Sequence, residues 1–329
     1  MTESDPAHRV RFSRILLSLA ALYNLAFGAW AILSPLSFFT LFGLAAPNHP
    51  AIWQCLGMVV GVYGAGYAWA SVRPDLVKPI VALGLAGKIL GPIGWVATVA
   101  SGEWPVSTFT LILFNDLAWW LPFGLILLEG TRLGERIRAL APQACAVINA
   151  AAAFAMLLLL RPGMEVGGDA ATRIAYISGH PVAWRAGWGI WIAAALSLAA
   201  FYAWWGARLG LPRRAIAAFL LVTAGLACDL FAESLYIAWL PEHLETAGRL
   251  GTLLTGGAAN GLYTVAGILL TLMTPMTRGM RLAAAAVWTS GVGVTLFTLI
   301  EWLPGLVAST AALMILFPPW TWMLGRRLR

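Results

Sequence analysis

Hydrophobic residues fall into ten long runs along the chain, and short polar segments separate them. Each run is long enough to cross a hydrocarbon core of roughly 30 Å as a helix. The pattern therefore predicts an all-α, polytopic integral membrane protein with about ten transmembrane helices. The runs lie at 14–34, 50–71, 77–100, 107–129, 143–161, 181–206, 212–240, 250–273, 280–302 and 305–324.

The charged segment from Glu129 to Pro142 interrupts this series after the fourth run. It predicts a four-helix transmembrane bundle at 1–135, followed by a six-helix transmembrane bundle at 136–329. The two parts differ in helix number, and no convincing internal repeat relates them. The sequence therefore gives little support to a transporter built from inverted repeats.

The basic residues form six clusters, and all six fall on the same side of a ten-span model. Short basic loops mark the cytoplasmic side of a membrane protein, so we expect both termini in the cytoplasm. The clusters are Arg9, Arg11 and Arg14; Arg73 and Lys78; Arg132, Arg136 and Arg138; Arg208, Arg213 and Arg214; Arg278 and Arg281; and Arg326, Arg327 and Arg329.

Composition supports the membrane assignment and excludes several kinds of site. Hydrophobic residues make up 60% of the chain and charged residues 11%, whereas a soluble domain carries about a quarter charged residues. The net charge of +7 is spread between apolar runs, so nucleic acid is not an expected partner. The cysteines and histidines lack metal-binding or dithiol spacing, so neither a metal site nor a cofactor is predicted.

The first polar centre is predicted in the four-helix part. Lys88 lies about 16 Å and Asp116 about 14 Å from one end of their respective runs, at 1.5 Å per residue. Lone charges near the middle of a bilayer are costly, so we expect Lys88 and Asp116 to form a buried pair. Asn115, Asn24 and Gln54 supply further amide groups.

Glycines accompany Lys88 in its run. Gly84, Gly87, Gly91 and Gly94 recur at helical spacing, which predicts a small-residue face where another helix packs closely. Three interpretations of the centre remain open. The polar groups could form a network that fixes helix packing, a site for the head group of a lipid or quinone-like molecule, or an acid–base pair.

The segment from about Leu17 to Leu128 resembles the small four-helix bacterial membrane proteins related to DoxX. The residues that carry the resemblance are Tyr23-Asn24, Pro50 to Gly61, Gly87 to Pro92, Asn115-Asp116, Trp119-Trp120 and Pro122. The resemblance implies a four-helix bundle in the bacterial cytoplasmic (inner) membrane. Such families are associated with membrane-linked redox or thiol stress, but the segment has no paired cysteines, so a thiol-peroxidase role is not expected.

The second polar centre is predicted in the seventh run. Asp229 and Glu233 are four residues apart and share a helix face, as do Glu233 and Tyr236. Arg185 has a compatible depth and is the expected cation for the carboxylates, while Asn260 could complete a polar pocket. The centre is either an outer-leaflet salt bridge or a ligand or proton site.

The six-helix part also weakly resembles six-helix bacterial membrane proteins of unknown function, through Arg185-Ala186-Gly187. The function expected from the whole sequence is a non-catalytic membrane module. It would bind a lipidic or quinone-like small molecule or a partner membrane protein, in contact with membrane lipids. One alternative is a proton-linked transporter that uses Asp229 and Glu233, and another is an intramembrane lipid-modifying enzyme.

Overall fold

The structure is a computed structural model that describes residues 6–240 and 243–328, with side chains from residue 13 onward except residue 100. Within these ranges the chain is helical and contains no strand. Arg329 and the side chains of Arg9 and Arg11, which the sequence placed in basic clusters, lie outside this part.

Ten helical segments of the described chain are long and apolar enough to cross a membrane, so the predicted all-α polytopic fold is confirmed. Most ends of these segments lie within a few residues of the ends of the predicted hydrophobic runs. The fifth segment is longer than its predicted run, because its helix begins in the basic stretch before the run. They are Ser13–Leu33, Pro50–Val72, Pro74–Val99, Val106–Leu127, Arg132–Gly163, Pro181–Arg208, Arg213–Ala238, Leu244–Met273, Arg278–Leu299 and Leu303–Arg327.

Contacts within the chain define two compact units, Met1–Gly134 and Glu135–Arg329. The first unit contains α1 (Pro6–Leu33), α2 (Ser37–Leu41), α3 (Pro50–Val72), α4 (Val77–Ala100), α5 (Phe109–Ile112) and α6 (Ala118–Leu127). A π-helical segment, Leu113–Leu117, joins α5 to α6, so these elements form one span.

Helices α1 and α3 pack closely because glycines remove side chains at their crossing. A Cβ placed on Gly28 would lie 2.7 Å from the carbonyl oxygen of Gly57, which is too close for any other residue without a shift. Farther along the same helices, Leu17 and Tyr67 are buried, and they share a core with Phe123 of α6. Close approach at small residues is the usual means of helix association in a membrane.

The inward face of α4 differs from the predicted glycine face. Gly84 is buried, but Gly87, Gly91 and Gly94 are exposed, and Cβ atoms on Gly87 and Gly94 would meet nothing within 4 Å. Lys88 points inward as expected and is 6% exposed. The inward positions of α4 recur every three or four residues and include Gly84 and Lys88. The three exposed glycines lie beside this inward face of the helix.

The second unit holds most of α7 (Arg132–Ala155), a π-helical segment Met156–Leu160, and α8 (Ala170–Gly179), a short helix outside the ten spans. The remaining elements are α9 (Pro181–Arg208), α10 (Arg213–Ala238), α11 (Leu244–Thr252), a π-helical segment Leu253–Ala259, α12 (Asn260–Met273), α13 (Arg278–Leu299) and α14 (Leu303–Arg327).

Helix α10 lies at the centre of this unit and packs against α9, α11, α12 and the segment Leu253–Ala259. Its residues from Ala232 to Ile237 are all buried, so this stretch is covered on every side. Elsewhere in the unit, three tryptophans form an aromatic core. The ring centroid of Trp320 lies 5.4 Å from that of Trp205 and 5.1 Å from that of Trp288.

Candidate functional site

The first polar centre is built around Lys88 of α4. Its ammonium group donates a hydrogen bond to the backbone carbonyl of Asn115. The same nitrogen lies 5.7 Å from the centroid of the Trp119 ring, within the range of a cation–π contact. Both partners belong to the span formed by α5 and α6, so Lys88 ties α4 to that span.

The π-helical segment Leu113–Leu117 explains why carbonyl groups are available there. Widening a helix by one residue disturbs its regular hydrogen bonds, and such segments are frequent at functional sites. Lys88 binds the carbonyl oxygen of Asn115, and the Trp119 indole nitrogen donates to that of Phe114 at 2.9 Å. Side chains therefore satisfy two carbonyl groups of this segment inside the bundle.

Asp116 lies beside Lys88 but is held by a different group. The amide nitrogen of Asn115 donates to Asp116 Oδ1 at 3.1 Å, while Asp116 itself is 4% exposed. Its Oδ2 atom lies against Gly91, where a Cβ would come within 2.9 Å. Asn115 thus contacts both charged groups, and the direct ion pair predicted between Lys88 and Asp116 is not among the ion pairs of the described residues.

Two predicted members of this centre have other contacts. Gln54 donates to the carbonyl oxygen of Ile32 at 2.9 Å and so caps the last turn of α1. It lies in the first turns of α3, too near the helix end to reach the depth of Lys88. Asn24 is buried beside Gly64, and its Oδ1 atom has no hydrogen-bond partner in the described part of the chain.

Several aromatic residues lie in or beside this centre but were not among its predicted members, and they include Trp119, whose ring contacts Lys88. The Tyr23 ring lies 5.9 Å from that of Trp119, and the Tyr67 hydroxyl lies against Gly84. Trp120 donates to the carbonyl oxygen of Lys88 at 2.8 Å. The signal for Trp120 was present in the sequence, because a proline four residues after Lys88 leaves that carbonyl without its helical donor.

The second polar centre is built around Asp229 of α10, which is 7% exposed. Its Oδ1 atom accepts a hydrogen bond from Thr255 at 2.5 Å, and its Oδ2 atom accepts a longer one from Tyr263 at 3.4 Å. Thr255 belongs to the π-helical segment Leu253–Ala259. Both centres therefore place a buried carboxylate in or beside a π-helical segment.

Glu233 lies one turn farther along α10 and is 1% exposed. Neither of its carboxyl oxygens has a hydrogen-bond partner among the described residues. The predicted pairing with Arg185 is wrong, since Arg185 is exposed. Trp184 and Trp188 take the inward positions of α9, and Arg185 is turned away from them by its place in the helix.

Tyr236 is buried and serves packing rather than the carboxylates. Its ring stacks on Trp188 with centroids 4.2 Å apart, and its hydroxyl lies 3.1 Å from that of Thr252. The carbonyl oxygen of Tyr236 accepts from the indole of Trp184 at 2.7 Å. This carbonyl is near the end of α10, where regular helical donors are lacking.

Asn260 does not complete a pocket with Asp229 and Glu233. Its amide nitrogen donates to the carbonyl oxygen of Gly291 at 2.6 Å and to Thr295 Oγ1 at 2.9 Å. These contacts join α12 to α13. Asn260 was expected near the middle of the eighth span, and it lies near the middle of the helical segment Leu244–Met273, but the helix that its side chain meets was not predicted.

Comparisons with protein-family models, with curated proteins and with solved structures find no match to this chain. The resemblance to DoxX-related proteins therefore stays a prediction. Among the described residues, no group of three or more histidine, cysteine, aspartate or glutamate side chains is placed to hold a metal ion. The contacts described for the two centres are hydrogen bonds and a cation–π contact.

Proposed function

We propose that this membrane protein is a binding module for a lipidic or quinone-like small molecule, whose polar head group is held by Lys88 and Asn115. One observation carries the proposal. The Lys88 ammonium has three N–H donors, and its one hydrogen bond in the described structure is to Asn115. The side-chain oxygen of Asn115 has no partner there. A donor and an acceptor are thus left for a ligand.

The exposed glycines of α4 supply an approach to this centre. Gly87 and Gly94 have open space where a side chain would stand, and Gly91 borders Asp116. A molecule with an apolar body could lie along this side of the helix and extend its head group to Lys88. A quinone carbonyl or a lipid ester accepts hydrogen bonds from an ammonium group, which suits the donor that Lys88 provides.

The test is Lys88→Met, with Lys78→Met as the matched control. Lys78 is exposed and donates to a backbone carbonyl at the end of α6, away from the centre. A short-chain quinone analogue would be titrated against purified protein while tryptophan fluorescence is recorded, since Trp119 and Trp120 adjoin the site. We expect saturable quenching that weakens about tenfold or more in Lys88→Met, because a hydrogen bond to a charged group is lost.

Mass spectrometry of lipids and quinones that copurify with each variant would provide a second readout. The control should retain every molecule that the unmodified protein carries, and Lys88→Met should lose one of them. A Lys88→Met protein that folds and binds every ligand unchanged would refute the proposal. A membrane protein that copurifies with the unmodified chain, and is lost on the same substitution, would assign the surface to a partner instead.

Glu233 supports a second candidate, a proton-linked transporter. A buried ionised carboxylate without a partner costs several kcal/mol, so this group is stable only as the acid or against a bound cation or donor. Proton flux would be measured in vesicles under an imposed membrane potential, with Glu233→Gln compared with Glu245→Gln, an exposed control. Flux that stops only in Glu233→Gln supports transport, and absence of flux in the unmodified protein counts against it.

A further inference from the structure

A cavity of about 410 Å³ lies along α12 and α13 of the second unit, apart from both polar centres. Its size is within the range of ligand-binding pockets. Most of its lining is apolar, and one charged side chain, Arg281, stands among the lining residues. The lining comprises Ile268, Thr271, Leu272, Arg281, Ala285, Trp288, Thr289 and Val292.

We propose that this cavity binds one acyl chain of an anionic phospholipid, with the lipid phosphate at Arg281. The length of the cavity suits an acyl chain. Arg281 and Val292 are eleven residues apart on α13, which corresponds to about 16 Å. This is close to half of a hydrocarbon core of roughly 30 Å, so the cavity runs from one membrane surface to the middle of the bilayer.

The floor of the cavity is suited to a hydrocarbon chain. Trp288 is 7% exposed, and its indole nitrogen already donates to Thr271 Oγ1 at 2.8 Å. Its ring lies against Gly267, where any larger residue would collide with it. The indole therefore has a fixed position, and its remaining accessible surface is apolar.

The charged end of the cavity favours a negative head group. Arg281 is exposed, and the one hydrogen bond that its side chain makes in the described structure is a long one of 3.4 Å to the carbonyl oxygen of Met276. Arg327 donates to the carbonyl oxygen of Pro275 at 3.2 Å, which places a second guanidinium near this end. The sequence from 274 to 300 contains no acidic residue. Guanidinium groups bind phosphate in a bidentate geometry.

The charge also distinguishes this ligand from the one proposed for Lys88. A quinone is neutral and gains little from two arginines, whereas a phospholipid with a net negative charge gains from both. Basic pockets between transmembrane helices on the cytoplasmic side are known binding places for anionic head groups. Arg278 and Arg281 belong to a cluster expected on that side.

The test compares phosphatidylglycerol with phosphatidylcholine of identical acyl chains, mixed in equal amounts with the purified protein. Native mass spectrometry would count bound lipids. We expect the unmodified protein to prefer phosphatidylglycerol, and Arg281→Gln to reduce that preference about tenfold, because a charge-assisted hydrogen bond is lost. Arg278→Gln is the matched control, since this exposed arginine does not line the cavity.

A second variant, Ala285→Phe, would fill the apolar part of the cavity and should lower binding of both lipids. Ala285 is exposed, so the substitution leaves the helix core intact. Soluble glycerol phosphate should not displace the lipid, because it lacks the chain. The proposal is overturned if the unmodified protein shows no preference, or if Arg281→Gln folds normally and keeps the preference. Displacement by glycerol phosphate alone would also overturn it, since the acyl chain would then contribute nothing.

Discussion

The contact between Trp120 and the carbonyl oxygen of Lys88 allows a sharp test of how this structure is stabilised. Residue 92 is a proline, so it has no N–H to donate to the carbonyl four residues earlier, as a regular helix requires. The Trp120 indole takes that place at 2.8 Å. Because a membrane interior offers no water, an unpaired carbonyl there is costly.

We expect Trp120→Phe to lose this hydrogen bond while keeping an aromatic ring. Hydrogen bonds between membrane helices contribute about 0.6 kcal/mol on average and up to about 1.7 kcal/mol. In a Pro92→Ala background, the alanine N–H can bind the Lys88 carbonyl, so Trp120→Phe should cost less. The difference between the two backgrounds is the coupling free energy, and it should fall in the same range of about 0.6–1.7 kcal/mol.

Four proteins would be compared: the unmodified protein, Trp120→Phe, Pro92→Ala and the double variant. Their free energies of unfolding would be measured in mixed detergent micelles, with tryptophan fluorescence as the signal. Trp69→Phe is the control, since Trp69 is 59% exposed and lies near the end of α3, whereas Pro92 lies about 22 Å beyond the start of α4, at 1.5 Å per residue. Its cost should be the same whether residue 92 is proline or alanine. If Trp120→Phe also costs the same in both backgrounds, the proline explanation for this contact is refuted.

Two further predictions concern individual carboxylates. Thr255→Val removes the 2.5 Å hydrogen bond to buried Asp229 and should lower the free energy of unfolding by about 1.5–3 kcal/mol. Thr255→Ser is the control, because serine keeps the hydroxyl group that makes this hydrogen bond. Equal thermal unfolding of the two variants would contradict the prediction. Asp169, outside the spans, interacts with the Thr172 side chain and accepts a hydrogen bond from the Thr172 N–H at the start of α8, and both contacts lower the pKa of Asp169. Its stabilisation should therefore be complete above the unfolded pKa of about 3.9 and be lost as the pH falls through the lower folded value. Hydrogen exchange of the Thr172 amide should follow that loss, and should not do so in Asp169→Asn.

The number and positions of the spans could be predicted because hydrophobicity is a property of each residue and needs no knowledge of its neighbours in space. The inward direction of Lys88 followed in the same way, since a charge facing lipid is costly. The partners of polar residues could not be predicted as well. The position of a residue along its helix can be predicted from sequence, and on that basis Arg185 and Glu233 were expected at compatible depths. Whether two side chains meet also depends on the direction in which each points from its helix axis, and Arg185 points outward.

The irregular segments of the helices account for the rest of what sequence missed, and they explain how the tryptophans are used. Tryptophans near the ends of the predicted runs are expected to anchor the protein at the membrane interfaces, and these are Trp30, Trp53, Trp69, Trp104, Trp239 and Trp302. Inside the bundles, however, several indoles donate to backbone carbonyls where a helix is irregular or ends, while others donate to threonine hydroxyls.

Trp120 does so beside a proline, Trp119 within a π-helical segment and Trp184 near the end of α10. An indole offers a single donor on a large apolar body, so it can satisfy a lone carbonyl without adding another unpaired polar atom. Each of these carbonyls lies next to one of the two polar centres. The irregular backbone that supports the centres therefore depends on these indoles, and replacing one should disturb the adjacent centre before it disturbs the fold.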